Sequence, residues 1–107
     1  MGLRKDLDSV QKRFIYHLID ENGTVLYVGT SINPKGRYKS HLKRCVNENA
    51  PFYIYVRNND IKFTCKIVKE ITSTYDFAEQ IEIQEIIKHK DTVFNFYNNP
   101  NKKNGIR

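Results

Sequence analysis

Apolar side chains fill both sides of an alternating run over residues 13–20. Phe14, Tyr16 and Leu18 take one parity, and Ile15, His17 and Ile19 take the other. A strand that is mostly apolar on both faces belongs in the interior of a sheet. Glu21-Asn22-Gly23-Thr24 interrupts the run, and its Asn-Gly pair suits the positive φ angles of a tight hairpin. Residues 25–29 then form the returning strand, which brings Tyr16 and Tyr27 into one neighbourhood. His17 alternates away from Tyr16 and faces the other side of its strand.

Residues 30–34 read as a loop that ends in a helix start, with Asn33 as cap and Pro34 as first helical residue. The helix is expected to continue to about residue 46. Tyr38, Leu42 and Cys45 form its apolar stripe. Arg37, His41 and Arg44 repeat the same spacing on another face, so Arg37 and His41 point the same way one turn apart. Residues 51–58 lie between strand and helix in character. Pro51 at a helix start, followed by Phe52, Tyr55 and Val56 at helical spacing, favours a short helix.

Over residues 61–68, Ile61, Phe63, Cys65 and Ile67 alternate with Lys62, Thr64, Lys66 and Val68, the clearest strand pattern in the chain. Ser73 or Thr74 opens a second long helix that reaches about His89, with Phe77, Ile81 and Ile87 among its inward positions. A short extended piece over 93–97 precedes a polar tail. The order is β-β-α-(α)-β-α-tail. It predicts an α+β fold with a three-stranded antiparallel sheet flanked by helices. Residues 1–12 read as an arm, 13–97 as the domain and 98–107 as a basic tail.

At 107 residues one domain is expected, with a single modest core. No apolar run approaches the ~20 residues of a membrane span, and no secretory signal stands at the start. A cytoplasmic or nucleoid-associated protein is expected, neither membrane-bound nor secreted. Cys45 and Cys65 read as small apolar side chains in a reducing compartment, with no Cys/His spacing that suggests zinc. Eighteen Lys and Arg against 12 Asp and Glu give a net charge of +6, which favours a polyanionic partner. Lys35, Arg37, Lys39, Lys43 and Arg44 crowd around His41, and Lys102, Lys103 and Arg107 form a second cluster. Lys35, Lys39, Lys43, Arg44, Lys102 and Lys103 are the expected nucleic-acid contacts. The acids concentrate at Glu79, Glu82 and Glu85. The outer two read as a solvated helix face, with Glu79 a rival to Glu82 as metal ligand.

Phe14-Ile15-Tyr16, Tyr27-Val28-Gly29, Arg37, His41, Glu82 framed by Ala78 and Ile86, and Asn95 after Phe94 stand in an order that resembles the GIY-YIG nuclease domain. The resemblance covers residues 13–97 and departs from the family in three places. Phe14 replaces the glycine of the first motif, Val28 replaces Ile, and Ser31 stands where some members carry a lysine.

The resemblance implies a stand-alone DNA endonuclease that nicks or cuts duplexes, with Mg2+ (or Mn2+) on Glu82 and no small-molecule cofactor. It implies catalytic roles for Tyr16, Tyr27, Arg37, His41, Glu82 and Asn95. Tyr16 would activate water, His41 would take its proton, and Tyr27 would position water or a phosphate oxygen. The residues alone leave open which tyrosine is the base. A strand tyrosine can serve so only if its pKa, near 10 in water, is lowered or its proton is relayed. Arg37 can grip a phosphate with its planar fork. Tyr53, Tyr55, Tyr75 and Tyr97 read as core or interface. His89 reads as a charge complement to the helix end, and Asn95 could equally bond backbone at a strand end. A non-catalytic DNA-binding or interaction module on the same fold is the alternative, and a small RNA-binding domain is a third. Cutting both strands with one site per chain needs a second copy or a second event, so a homodimer is one expectation.

Overall fold

A computed structural model of the chain describes residues 9–95. The tail residues Lys102, Lys103 and Arg107, and Tyr97, lie outside the described residues. Three strands form one antiparallel sheet in the order β2-β1-β3. β1 is Gln11–Ile19, β2 is Val25–Ser31 and β3 is Thr64–Ser73. β1 is central because it is apolar on both faces, as its pattern requires. It begins at Gln11, so the expected arm gives up its last two residues to the sheet.

The hairpin between β1 and β2 forms, but only Gly23 takes a positive φ, of 85°. The turn is held instead by the Asp20 carboxylate, which accepts from the backbone N–H groups of Asn22 and Thr24, each at 2.9 Å. An Asp side chain bonding its own turn does the work expected of two positive-φ residues.

Helix α1, Pro34–Arg44, starts as expected: Asn33 Oδ1 accepts from Gly36 N at 3.1 Å, with Pro34 next in the chain. Its buried residue is His41, flanked by the half-buried Tyr38 and Cys45, whereas Leu42 is 43% exposed. The apolar stripe predicted through Leu42 is therefore corrected: the inward face is Tyr38-His41-Cys45. The Tyr38 hydroxyl donates to Phe63 O at 2.9 Å and fixes α1 against the sheet near the start of β3. Helix α2, Pro51–Asn59, forms where a short helix was favoured, and buries Phe52, Tyr53 and Val56. Arg57 on α2 donates to Cys45 O and Glu48 O, which ties down the connection from α1.

β3 begins at Thr64 and extends to Ser73, further than its alternation predicts. Ile15 pairs with Lys69 but Tyr16 with Ile67, which leaves Val68 as a bulge on β3, so alternation does not run unbroken along the strand. Ile67, read as part of an apolar face, is 49% exposed on this edge strand.

Helix α3, Tyr75–Lys88, is capped by Thr74, whose Oγ1 accepts from Phe77 N. It buries Ala78, Glu82, Glu85 and Ile86. Phe77 is 53% and Ile87 41% exposed, so two of the three inward positions predicted for it are outward. The apolar residues at 77, 81, 83, 86 and 87 are spread around the helix and do not single out a face. Glu85, read as solvated, is buried and bonded to His17 at 3.0 Å and to Lys88 at 3.0 Å.

Two cores result. One, on the α1/α2 side of the sheet, gathers Tyr16, Leu18, Leu26, Phe52, Tyr53, Val56 and Phe63. The other, on the α3 side, gathers Ile15, Val25, Val28, Ile86 and Val93.

Candidate active site

The two motif strands meet at one cross-strand pair, because Tyr16 on β1 lies directly opposite Gly29 on β2. A Cβ on Gly29 would stand 2.3 Å from the Tyr16 Cζ and hydroxyl. The glycine therefore exists to let the Tyr16 ring lie across β2, a close approach rather than a special φ. Tyr27 pairs with Leu18, the next residue of the same parity, so both tyrosines face α1 and α2.

His41 comes down from α1 between them. Its Nε2 is 3.0 Å from the Tyr16 hydroxyl and its Nδ1 is 2.9 Å from the Tyr53 hydroxyl. Tyr27 packs edge-on to the imidazole with ring centroids 5.0 Å apart, and Phe52 closes the group at 6.3 Å. Burial lowers the pKa of His41 to about 4, assisted by the positive charges of Arg37 and Arg44, so the ring is neutral at pH 7. Burial drives the Tyr16 phenol the other way, well above its ordinary value. Tyr27 and Glu82 push it further up, while Arg37 pulls it down. Tyr16 is thus a protonated phenol held against a neutral imidazole.

Arg37 is exposed on α1, and its charge bears on both Tyr16 and His41. Glu82 arrives from α3, on the other side of the sheet. It is buried, and Thr30 Oγ1 at the end of β2 donates to its Oε1 at 2.5 Å, a short charge-assisted bond. A single fixed carboxylate, with phosphate oxygens and water completing the shell, is an ordinary donor set for a magnesium-like cation. The residues present therefore fit the metal that the resemblance implies. Glu79, one turn earlier on α3, is half-buried.

Asn95 is buried but bonds backbone: its Oδ1 accepts from Val28 N at 3.0 Å and its Nδ2 donates to Val28 O at 2.7 Å. With Phe94 N donating to Leu26 O at 2.9 Å, it secures the outer edge of β2, on which Tyr27 stands. The structure brings Tyr16, Tyr27 and His41 into contact, sets the charges of Arg37 and Glu82 within reach of the Tyr16 phenol, and gives Asn95 a bracing position on β2.

Lys35, Lys39 and Lys43 follow one another at i, i+4 along α1, all exposed. Arg44 is also exposed; its charge bears on the Tyr53 hydroxyl, opposing the rise that burial gives that phenol's pKa, and its Nε lies 3.9 Å from Glu48. Two polar groups at the site escaped the sequence reading. Tyr53 looked like any apolar face residue of a short helix, and Thr30 looked like a loop residue. Only the distance of Tyr53 from His41 on the next helix could have pointed to it, and that spacing has no fixed period.

Phe14, at the position of the missing motif glycine, lines an apolar groove of about 460 Å3 with Ile32, Tyr38 and Ile67. The change affects packing in that groove. Tyr16, His41 and Glu82 do not line it.

No curated protein matches the chain, and no solved structure does. The family model of the GIY-YIG catalytic domain matches residues 12–98, within a residue of the span that the motifs delimit at either end. That match covers most of the chain and includes every residue of the polar cluster, and so the chain belongs to the GIY-YIG catalytic-domain family of nucleases.

Proposed function

We propose that the protein is a metal-dependent DNA endonuclease whose water is activated through Tyr16 and His41. The observation that carries this reading is the buried 3.0 Å bond from the Tyr16 hydroxyl to His41 Nε2, with Glu82 and Arg37 close enough to act on the same phenol.

A phenol with so high a pKa does not wait as a phenolate. Tyr16 takes a proton from water as its own proton passes to His41 Nε2, so the oxygen never carries a full charge. His41 can receive that proton because it is neutral, and only in the tautomer with hydrogen on Nδ1. Nδ1–H then donates to the Tyr53 oxygen, on which the charge of Arg44 also bears. Tyr53 thereby holds the imidazole in its accepting tautomer. Burial is the main reason that His41 is hard to protonate, and the anionic phosphate offsets the two arginine charges that add to it. Arg37 grips a non-bridging oxygen and favours the more negative transition state. Tyr27 lines the wall against which the attacking water is placed. A divalent cation on Glu82, Mg2+ with Mn2+ as substitute, would neutralise phosphate charge and stabilise the departing oxygen. Lys35, Lys39 and Lys43 carry the DNA backbone along α1, with Lys102 and Lys103 as further contacts.

Supercoiled plasmid incubated with Mg2+ is expected to be converted to nicked circles and then linear DNA. EDTA should stop the reaction, and Glu82→Ala should lower the rate at least about a hundredfold. Cutting by a clean Glu82→Ala preparation at the parent rate would remove the metal assignment. Binding without any cutting by the parent protein would instead favour a non-catalytic DNA-binding module.

A further inference from the structure

On the α3 side of the sheet, away from Tyr16 and His41, lies a second group of metal-ligating side chains. His17 from β1 and Glu85 and His89 from the end of α3 offer ligand atoms all within 4.8 Å of one another. Glu85 and His89 are four residues apart, so one turn of helix stacks them on the same face. His17 is brought to them by strand alternation, as the β1 residue next to Tyr16 on the opposite face.

We propose that His17, Glu85 and His89 bind one transition-metal ion of the zinc class. Two imidazoles and a carboxylate are a common zinc ligand set, and this donor choice selects zinc-class ions over magnesium. The geometry is close to what such an ion needs. Ligand atoms at ~2.1 Å from a tetrahedral zinc stand ~3.4 Å from each other, and His17 Nε2 is already 3.0 Å from Glu85 Oε1. The His17 and His89 rings are 5.0 Å apart between centroids, and His89 needs only a small swing at the helix end to close the third bond. Burial of His17 favours its neutral form, which is the form that ligates.

Two lysines face the group. Lys66 stands opposite His17 on β3, and Lys88 bonds Glu85 at 3.0 Å. Both are exposed on long side chains and can turn outward to water. The negative end of the α3 dipole favours a cation there. The ion would tie the last turn of α3 to the central strand and leave the phosphodiester site unchanged, so the proposal stands whether or not the chain is a nuclease.

The test uses tag-free protein stripped with chelator and titrated calorimetrically with Zn2+ alone, with thermal unfolding followed in parallel. One Zn2+ per chain is expected, with a rise in Tm and no displacement by excess Mg2+. His89→Ala sits at a half-buried helix end and should fold, and it should weaken zinc binding about tenfold or more. Glu82→Gln should bind zinc as the parent does. Absence of zinc binding by the parent protein would overturn the site. So would parent-like binding by His89→Ala, or loss of binding in Glu82→Gln.

Discussion

Tyr16 depends on two neighbours that contribute no chemistry of their own. Gly29 gives it space, and Tyr53 sets the imidazole that receives its proton. Gly29→Ala would place a methyl group 2.3 Å from the phenol. The ring is buried and bonded, so it can yield only by leaving His41. The expected outcome is a loss of about 1–3 kcal/mol in urea unfolding, with plasmid nicking nearly abolished. Parent-like nicking would mean that the ring position does not matter to the reaction. Tyr53→Phe keeps the ring and removes the oxygen that receives Nδ1–H. In steady-state kinetics kcat should fall about 10- to 100-fold with KM unchanged, and the nitrogen shifts of His41 in NMR should show a mixture of tautomers. A variant with altered KM and an unchanged tautomer would assign Tyr53 to substrate contact instead. The motif tyrosines, Arg37, His41 and Glu82 were legible because each occupies a set place in an ordered string. Tyr53 was not, since a hydroxyl on a buried helix face has no pattern that separates it from ordinary core.

At the level of elements, legibility followed how strongly sequence constrains a face. The hairpin, the Asn33-Pro34 start of α1 and the two-sided β1 were readable because turns, caps and alternation leave local marks. The inward face of α3 was not. Its Ile residues ring the helix, and the side that packs is chosen by Thr30 and His17 reaching to Glu82 and Glu85. Partners on distant strands decided that choice, and no helical period records them. On α1 the division of labour is cleaner, because His41 turns inward while Lys35, Lys39 and Lys43 line the exposed side. Each phosphate contact contributes about −0.9 to the slope of log K against log salt on duplex DNA. Replacing these three lysines with Gln should therefore reduce the slope by about 2–3, measured by fluorescence anisotropy in EDTA at several NaCl concentrations. Arg44 is left in place because its charge also bears on Tyr53 and His41. An unchanged slope would move the DNA track off α1.

A buried imidazole lies in each layer, His41 beneath α1 and His17 beneath α3, and burial favours the neutral form of both. The unfolded chain takes up a proton on His41 near pH 6.5, whereas the folded chain does so only at about 4. Between those values the unfolded state binds more protons, so stability falls as pH drops from about 6.5 and stops changing through this group below about 4. His17 acts in the same direction. Burial alone would raise the pKa of Glu85, but the bonds from Lys88 and His17 outweigh it and hold the carboxyl low, so its contribution is also lost in acid. At the other end, the folded protein keeps the Tyr16 proton after an unfolded tyrosine has ionised near pH 10, and stability falls again above that pH. A plateau from about pH 6.5 to 10 follows. His41 alone contributes about 3 kcal/mol to the acid loss, a large share of a small domain's total. Urea unfolding at pH 7, 5.5 and 4.5 should show the midpoint moving steadily down, and His41→Gln should flatten part of that dependence while lowering stability at pH 7. Equal stability at pH 7 and 4.5 would mean that the two rings accept charge in place, and that the path from Tyr16 to His41 is open to solvent rather than sealed within the core.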